Sequence, residues 1–300
     1  MSAPLVWIIV LHWKELELTR SCLLSLRQLR YRPYHVLVID NNSDDGSLER
    51  LRDEFPDVQT LGVAANLGFA GGCNLGIRQA LQHDADYVLL LNNDAQMPPD
   101  VLGELIDAAE RDPHLGILTP KVVWHDQPQR LYGLGGRRLP FRTRLKGMEA
   151  LDTGPYDGPP VLLDFVFGCA MLIKRQVIER IGLLDERFFM YFEDIDYCYR
   201  ATDAGFSVGY LPGAVLPHVV SGSTRRRSGI KEFLLGRSRQ RFFRKHIVGG
   251  WWLVYGPYEL FYTIRFVLRL IRQRQSRPAL LYLGGTLAGL VTSSDTAATA

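Results

Sequence analysis

Five acidic or imidazole residues and one glycine-rich stretch have the types and settings that could do chemistry. Asp94 closes the run Tyr87-Val88-Leu89-Leu90-Leu91-Asn92-Asn93-Asp94. A continuous apolar run with a polar end reads as a strand buried on both faces. In open α/β sheets ligands bind beyond the carboxyl ends of the strands, so Asp94 could hold a divalent cation against a phosphate. Equally, Asn92-Asn93-Asp94 could be a polar turn before Pro98-Pro99. Asp40 ends a second apolar run, Tyr34–Ile39, and could accept from a base N–H or a ribose hydroxyl; the same lone pairs could cap the turn below it. Glu193-Asp194 sits among Phe188, Phe189, Tyr191, Phe192 and Tyr197. Apolar surroundings raise a carboxyl pKa and suit a general base, whereas the plainer reading has one acid capping a helix and the other solvated. His218 follows Pro217 and could ligate metal or phosphate, although a lone His is more often packed or on the surface. Gly68-Phe69-Ala70-Gly71-Gly72 would let a backbone approach a ligand. It matches neither the dinucleotide nor the P-loop pattern, and a simple turn is the commoner outcome.

The elements that must position these groups alternate through residue 124. Strands are predicted at Val6–Leu11, Tyr34–Ile39, Thr60–Val63, Asp86–Leu91 and Gly116–Trp124. Helices between them place Leu18, Cys22, Leu26 and Leu29 on one stripe and Leu102, Leu105, Ile106 and Ala109 on another. That alternation predicts a parallel sheet covered by helices. From Asp126 to Pro160 the pattern fails, which suggests an excursion or flap beside the site. Strand character returns at Val161–Ile173 and Phe206–Leu211, with a short helix at Gln176–Ile181.

The chain is 47% hydrophobic and 22% charged, ordinary for a globular protein, and its net charge of +3 is too small to argue for nucleic acid. Cys22, Cys73, Cys169 and Cys198 form no Cys-x-x-Cys pair, which speaks against a zinc site or disulfide framework and for a reducing compartment. No stretch reaches the ~20 apolar residues of a spanning helix. The start lacks a basic region and a cleavage site.

Order and spacing carry more than any single motif. Asp40-Asn41-Asn42-Ser43-Asp44-Asp45-Gly46-Ser47, then Asn66-Leu67-Gly68-Phe69-Ala70-Gly71-Gly72, then Asn92-Asn93-Asp94, then Phe188-Phe189-Met190-Tyr191-Phe192-Glu193-Asp194-Ile195-Asp196, and finally His218 closely resemble the family 2 glycosyltransferases, nearest to their non-processive, rhamnosyltransferase-like branch. The resemblance implies a GT-A fold over residues 1–245, α/β with a Rossmann-like mixed sheet flanked by helices; beyond it, the residues themselves read as an amphipathic helical extension with a disordered tail over 246–300. It implies an inverting, metal-dependent transfer from a nucleotide-diphosphate sugar, dTDP-L-rhamnose first and a UDP-hexose second. The acceptor would be a hydroxyl of a glycan or polyprenyl-diphosphate-linked saccharide, in cell-surface polysaccharide synthesis. Carried over by position, Asp40 and Asn42 would serve the nucleoside. Asn66, Gly68 and Asn74 would line the donor pocket. Asn92, Asn93 and Asp94 would face the diphosphate, Asp94 and His218 holding Mn²⁺ or Mg²⁺. Asp194, paired with Glu193, would be the base.

Asn92 stands where the family often has Asp, which leaves the metal held more by the donor diphosphate. No Gln-x-x-Arg-Trp motif of the processive branch occurs, and Ser238 in Gly236-Arg237-Ser238-Arg239-Gln240-Arg241-Phe242 departs from the Arg-Asn run common in the branch. By charge and position alone, Arg225-Arg226-Arg227 would close over the diphosphate. Trp251–Ile271 sets aromatics beside Arg265, Arg269 and Arg272. It would lie on an anionic membrane surface or pack on the protein's own domain or a homodimer partner. The expected location is cytoplasmic, including the inner face of the cytoplasmic membrane. Rival readings are a silent nucleotide- or glycan-binding protein on the same fold and a sugar-phosphate nucleotidyltransferase. The latter lacks its glycine-rich loop here, since Leu11-His12-Trp13-Lys14-Glu15 stands after the first strand.

Overall fold

The computed structural model describes residues 3–154, 157–219 and 230–291. They divide into two compact units, one drawn from Met1–Arg137, Leu145–Glu186 and Asp194–Ser221, the other from Arg138–Arg144, Arg187–Glu193 and Gly222–Ala300.

The elements follow in chain order as β1 (Val6–His12), α1 (Leu16–Leu26), β2 (Tyr34–Asp40), α2 (Ser47–Glu54), β3 (Gln59–Gly62), α3 (Gly68–Gln82), β4 (Tyr87–Asn92), α4 (Val101–Arg111), β5 (Leu115–Trp124), β6 (Gly135–Leu139), β7 (Arg142–Lys146), β8 (Val161–Leu163), β9 (Ala170–Lys174), α5 (Arg175–Ile181), α6 (Glu193–Asp203), β10 (Ser207–His218), α7 (Ile230–His246), α8 (Trp252–Arg272) and α9 (Ser276–Val291).

One mixed sheet runs β3-β2-β1-β4-β9-β5-β10-β8. The first four strands are mutually parallel, β9 is antiparallel to both neighbours, β10 is parallel to β5, and β8 is antiparallel to β10. The apolar runs of β1, β4 and β5 are buried along nearly their whole length, as strands covered on both faces must be. The core joins Val6, Ile8 and Val10 of β1 to Leu23 and Leu26 of α1 and to Leu102 and Leu105 of α4.

Three expectations need correction. The glycine stretch at 68–72 is not a turn before a helix but the first turns of α3 itself. Gly72 and Gly76 face Leu11 and Ile9 of β1 so closely that a Cβ would overlap them. Close helix–strand packing thus overrides the low helix propensity of glycine. Val161–Ile173 is two strands, because β8 pairs at the sheet edge with β10 while β9 inserts between β4 and β5. The excursion carries the β6–β7 hairpin, and it is tethered: Lys121 Nζ on β5 meets Asp152 Oδ2 at 2.9 Å, both buried.

In the second unit α9 packs along α7 and against α8. Ser238, the residue that departs from the family run, is fully buried, and its hydroxyl lies 3.0 Å from Phe188 O and 2.9 Å from Met190 O. The Arg239 guanidinium grips Glu259 through Nε and Nη2 at 2.8–3.0 Å, and Gln240 Nε2 donates to the same carboxylate at 2.7 Å. Among the described residues no helix is long and apolar enough to cross a membrane.

Candidate active site

β4 ends at Asn92, whose N–H donates to Cys169 O at 2.8 Å. The next residues run antiparallel to the end of β10. Gln96 N–H donates to Pro217 O at 3.2 Å, Val219 N–H donates to Asp94 O at 2.8 Å, and Ala95 bridges His218. This short pairing sets His218 Nε2 2.8 Å from Asp94 Oδ1, both residues buried, although 124 positions separate them in the chain. Burial pulls the His218 imidazole down, but the Cys169 sulfur and the Asp94 carboxylate outweigh it and the net direction is up. Nδ1 is buried, and the Cys169 sulfur lies near enough to act on the ring. Once the imidazole gives up the proton that it shares with Asp94, as metal binding requires, an imidazole and a carboxylate converging this closely fit a Mg²⁺ or Mn²⁺ ion shared with substrate phosphates, a mode that needs only one or two protein ligands. A cage built by protein alone does not fit, since no group of three His, Cys, Asp or Glu is placed for one among the described residues.

Asp194 sits in the first turn of α6. Its Oδ1 accepts from Ile195 N–H at 2.8 Å and its Oδ2 from Gly168 N–H at 2.9 Å. Both bonds favour the ionised form, yet desolvation is larger and the carboxyl is pushed up. Asp194 is half-buried as a residue, and the protein packed around its carboxyl sets that direction. Glu193 is 6% exposed, which overturns the reading that leaves one acid of the pair solvated.

Gly168 holds Asp194, and its neighbour Cys169 holds Asn92. Two adjacent residues therefore tie Asp194 to the lip that carries Asp94. Tyr132 confirms the proximity. Its ring stands edge-on to His218 with centroids 4.6 Å apart. Burial, then Cys169, Asp94 and Asp194, push its phenol up to about 12. Tyr132 lies in the irregular excursion, so no periodicity in the sequence marks it.

On the other side of the lip, Asp40 is 7% exposed and takes the Ser43 N–H at 3.3–3.4 Å together with the Ser43 hydroxyl. The turn-capping role is thus built; an ionised carboxylate has further acceptor sites for a ligand. His12, which the sequence reading passed over, organises this side. Its Nδ1 and Nε2 lie 2.7 Å from Thr19 Oγ1 and from Ser47 Oγ. Because the Ser47 hydroxyl donates to Asp45, it accepts from Nε2–H; the Thr19 hydroxyl stands between Nδ1 and Glu15 O, to which it donates at 3.2 Å. Asn93 Nδ2 in turn donates to Thr19 Oγ1 at 3.0 Å. A buried polar chain therefore joins Asn93 to the loop after β2. The signal available in the sequence was a histidine closing an otherwise apolar strand.

Asn66 Oδ1 accepts from Gly68 N–H at 2.9 Å and from Asn41 Nδ2 at 3.1 Å, so Asn66 and Gly68 shape one loop at the start of α3. Asn42 is exposed at a φ of 62°. Asn74, expected at the donor pocket, is 1% exposed, and its amide is fully engaged with Leu184 N–H, Leu184 O and Glu186 Oε1. It is a scaffold residue, tying α3 to the segment before α6. Arg225, with Arg226 and Arg227, lies outside the described residues.

A profile described as glycosyl transferase family 2 matches residues 7–182, more than half of the chain. The chain belongs to glycosyl transferase family 2. Within this family it is similar to N-acetylglucosaminyl-diphospho-decaprenol L-rhamnosyltransferase of Mycobacterium tuberculosis, 31% identical over 254 residues that cover 77% of this chain and 80% of the relative. The dTDP-rhamnosyl transferase RfbF of Shigella flexneri is 20% identical, with 77% and 74% covered. Among solved structures, a mannosyltransferase of Pyrobaculum calidifontis in complex with GDP-mannose and Mn²⁺ superposes with a TM-score of 0.60 at 15% identity, covering 97% of this chain and 88% of that one. At that identity the likeness shows the fold, and the fold is GT-A. This family 2 chain is a glycosyltransferase of the rhamnosyltransferase-like kind, and its class is that of polysaccharide biosynthesis.

Proposed function

We propose that this transferase moves L-rhamnose from dTDP-L-rhamnose to a hydroxyl of a polyprenyl-diphosphate-linked saccharide, with inversion, at the inner face of the cytoplasmic membrane. The observation that carries the reading is the buried Asp94–His218 contact, tied through Gly168 and Cys169 to a carboxylate of raised pKa. The rhamnosyl choice is supported by the names of the relatives above. A UDP-hexose is the second choice of donor.

Asp40 and its loop bind the nucleoside, while Asn93 orients the lip through Thr19 and His12. Asp94 and His218 would hold a divalent cation, which when bound neutralises charge on the departing diphosphate. As the acceptor oxygen attacks the anomeric carbon, its proton passes to Asp194 and the bond from carbon to diphosphate oxygen breaks. One base opposite the leaving group suffices for inversion, and no second carboxylate is required as a nucleophile. The raised pKa of Asp194 improves it as a proton acceptor. A silent binding protein would have no need of a carboxylate held in this way.

The test is thermal unfolding with dTDP, UDP and their sugars, with and without Mn²⁺, on wild type and Asp94→Ala. A ligand at ~100 times its dissociation constant adds about 2.7 kcal/mol. A Mn²⁺-dependent shift with dTDP species, lost in the variant and followed by rhamnosyl transfer to a lipid-linked acceptor, is expected. A shift with UDP species alone moves the donor to the second choice. No shift with any nucleotide refutes the donor-site reading.

A further inference from the structure

Helix α8 is built inside out. Its buried positions are Tyr255, Glu259, Thr263 and Leu270, two of them polar. Its solvent side carries Leu253, Leu260, Phe261, Ile264, Leu268 and Ile271, each 46–82% exposed. At 3.6 residues per turn these six fall in one arc of about 100°, and Arg265, Arg269 and Arg272 follow along one border of it. The inward face is held by polar contacts. Arg239 pairs with Glu259 and lies 4.0 Å over the Tyr262 ring, and Tyr255 donates to Gln240 at 3.2 Å.

Helix α9 repeats the inversion. Its buried side is made largely of small residues, Ala279, Gly285 and Gly289 among them, while Leu280, Leu287 and Val291 are 62–83% exposed. Gly285 and Gly289, one turn apart, meet the α7 backbone so closely that a Cβ on Gly285 would overlap Phe233 O. Small residues four apart with helix backbones in contact, polar groups turned in and aliphatic groups turned out are the packing rules of helices in lipid.

The charge says what covers this face. Residues 260–291 contain five arginines, Arg265, Arg269, Arg272, Arg274 and Arg277, and no acid. All five are exposed. Trp251 and Trp252 at the head of α8 are 43% and 39% exposed, suited to the boundary between headgroups and acyl chains. A second copy docked through residues 260–291 would offer these arginines no acid from the same stretch. Neither helix is long and apolar enough to span a bilayer. We propose that the outer face of α8 and α9 lies in the plane of an anionic lipid bilayer, with the leucine and phenylalanine side chains among the acyl chains and the arginines on lipid phosphates.

This deepens the lipid-linked acceptor reading, but its test needs no donor or acceptor, so the two can fail separately. The full chain is sedimented with vesicles of phosphatidylcholine alone and of phosphatidylcholine mixed with phosphatidylglycerol. Binding is expected to the anionic vesicles, weakening as salt is raised. Each arginine near the surface contributes on the order of fivefold, so Arg265→Gln/Arg269→Gln/Arg272→Gln should bind roughly 100-fold more weakly. Leu260→Ser/Phe261→Ser/Ile264→Ser should bind neither vesicle type at any salt. All six positions are exposed, and unchanged thermal unfolding of both variants is the control for folding. Equal binding to both vesicle types, or an arginine variant that binds like wild type, overturns the proposal. So does a dimer in sedimentation equilibrium that the Leu260/Phe261/Ile264 variant dissociates, because a second copy would then cover the face.

Discussion

Gly168 donates its backbone N–H to Asp194 over 2.9 Å, and a Cβ placed on Gly168 would stand 3.2 Å from Asp194 Cβ. A side chain on its neighbour would crowd the carboxylate out of this position. Gly168→Ala should therefore move Asp194 by a few tenths of an ångström and reduce kcat by about tenfold, since small misplacements of reacting groups are costly. Steady-state kinetics with unchanged nucleotide affinity would check it.

Asp194→Asn should lower kcat by about 10³-fold, the middle of the range for a lost general base, while nucleotide diphosphate still raises the melting temperature. The pH dependence has a definite sign. A carboxyl whose pKa is raised on folding contributes stability that is present below its unfolded value and lost as pH rises through the folded one. If Asp194 takes the acceptor proton, activity should rise over that same interval as it ionises. Asn does not titrate, so the melting difference between variant and wild type should shift in the variant's favour from pH 4 to pH 7. A difference that is flat with pH would show that Asp194 is not desolvated.

His12 has the opposite linkage. Burial pulls its pKa down, and Asp40 and Asp45 offset this only in part. Its contribution to stability is full above the unfolded value and is lost as pH falls through the folded one. Denaturant unfolding of wild type should show lower stability at pH 5.5 than at pH 7.5. His12→Ala should remove that part of the dependence and cost about 3 kcal/mol at neutral pH, because the hydroxyls of Thr19 and Ser47 lose buried partners.

In the helical unit, Arg239→Met leaves Glu259 buried without its cation and should cost about 3–5 kcal/mol. Arg239→Met/Glu259→Gln keeps the bond from Gln240 and should recover most of the loss. Urea unfolding of the two variants separates a charge effect from a packing effect.

The strands that carry the site were legible in the sequence because burial on both faces forces continuous apolar runs. Asp40 closes one such run and Asp94 follows two residues after another. The motif order suggested that Asp94 and His218 act together; the reason they touch, a two-residue bridge at Ala95, leaves no pattern in either segment. Tyr132 was hidden because irregular chain has no period to read. The α3 glycines misled because propensity speaks of an isolated helix, whereas Leu11 and Ile9 dictate what fits against β1. Asn74 was assigned to the donor by motif position, yet its partners, Leu184 and Glu186, lie 110 and 112 residues away. No local signal distinguishes an amide that binds from one that braces.

β9 runs against the strands on either side of it. Parallel strands deliver their ends to one edge of a sheet; a reversed strand delivers its beginning there. The chain entering β9 thus arrives beside the lip at Asn92. Residues leading into that strand can therefore change beside the lip without disturbing the register of the parallel strands β3, β2, β1 and β4. Grafting experiments aimed at new linkages should cut ahead of Gly168 and leave everything up to Asp94 alone.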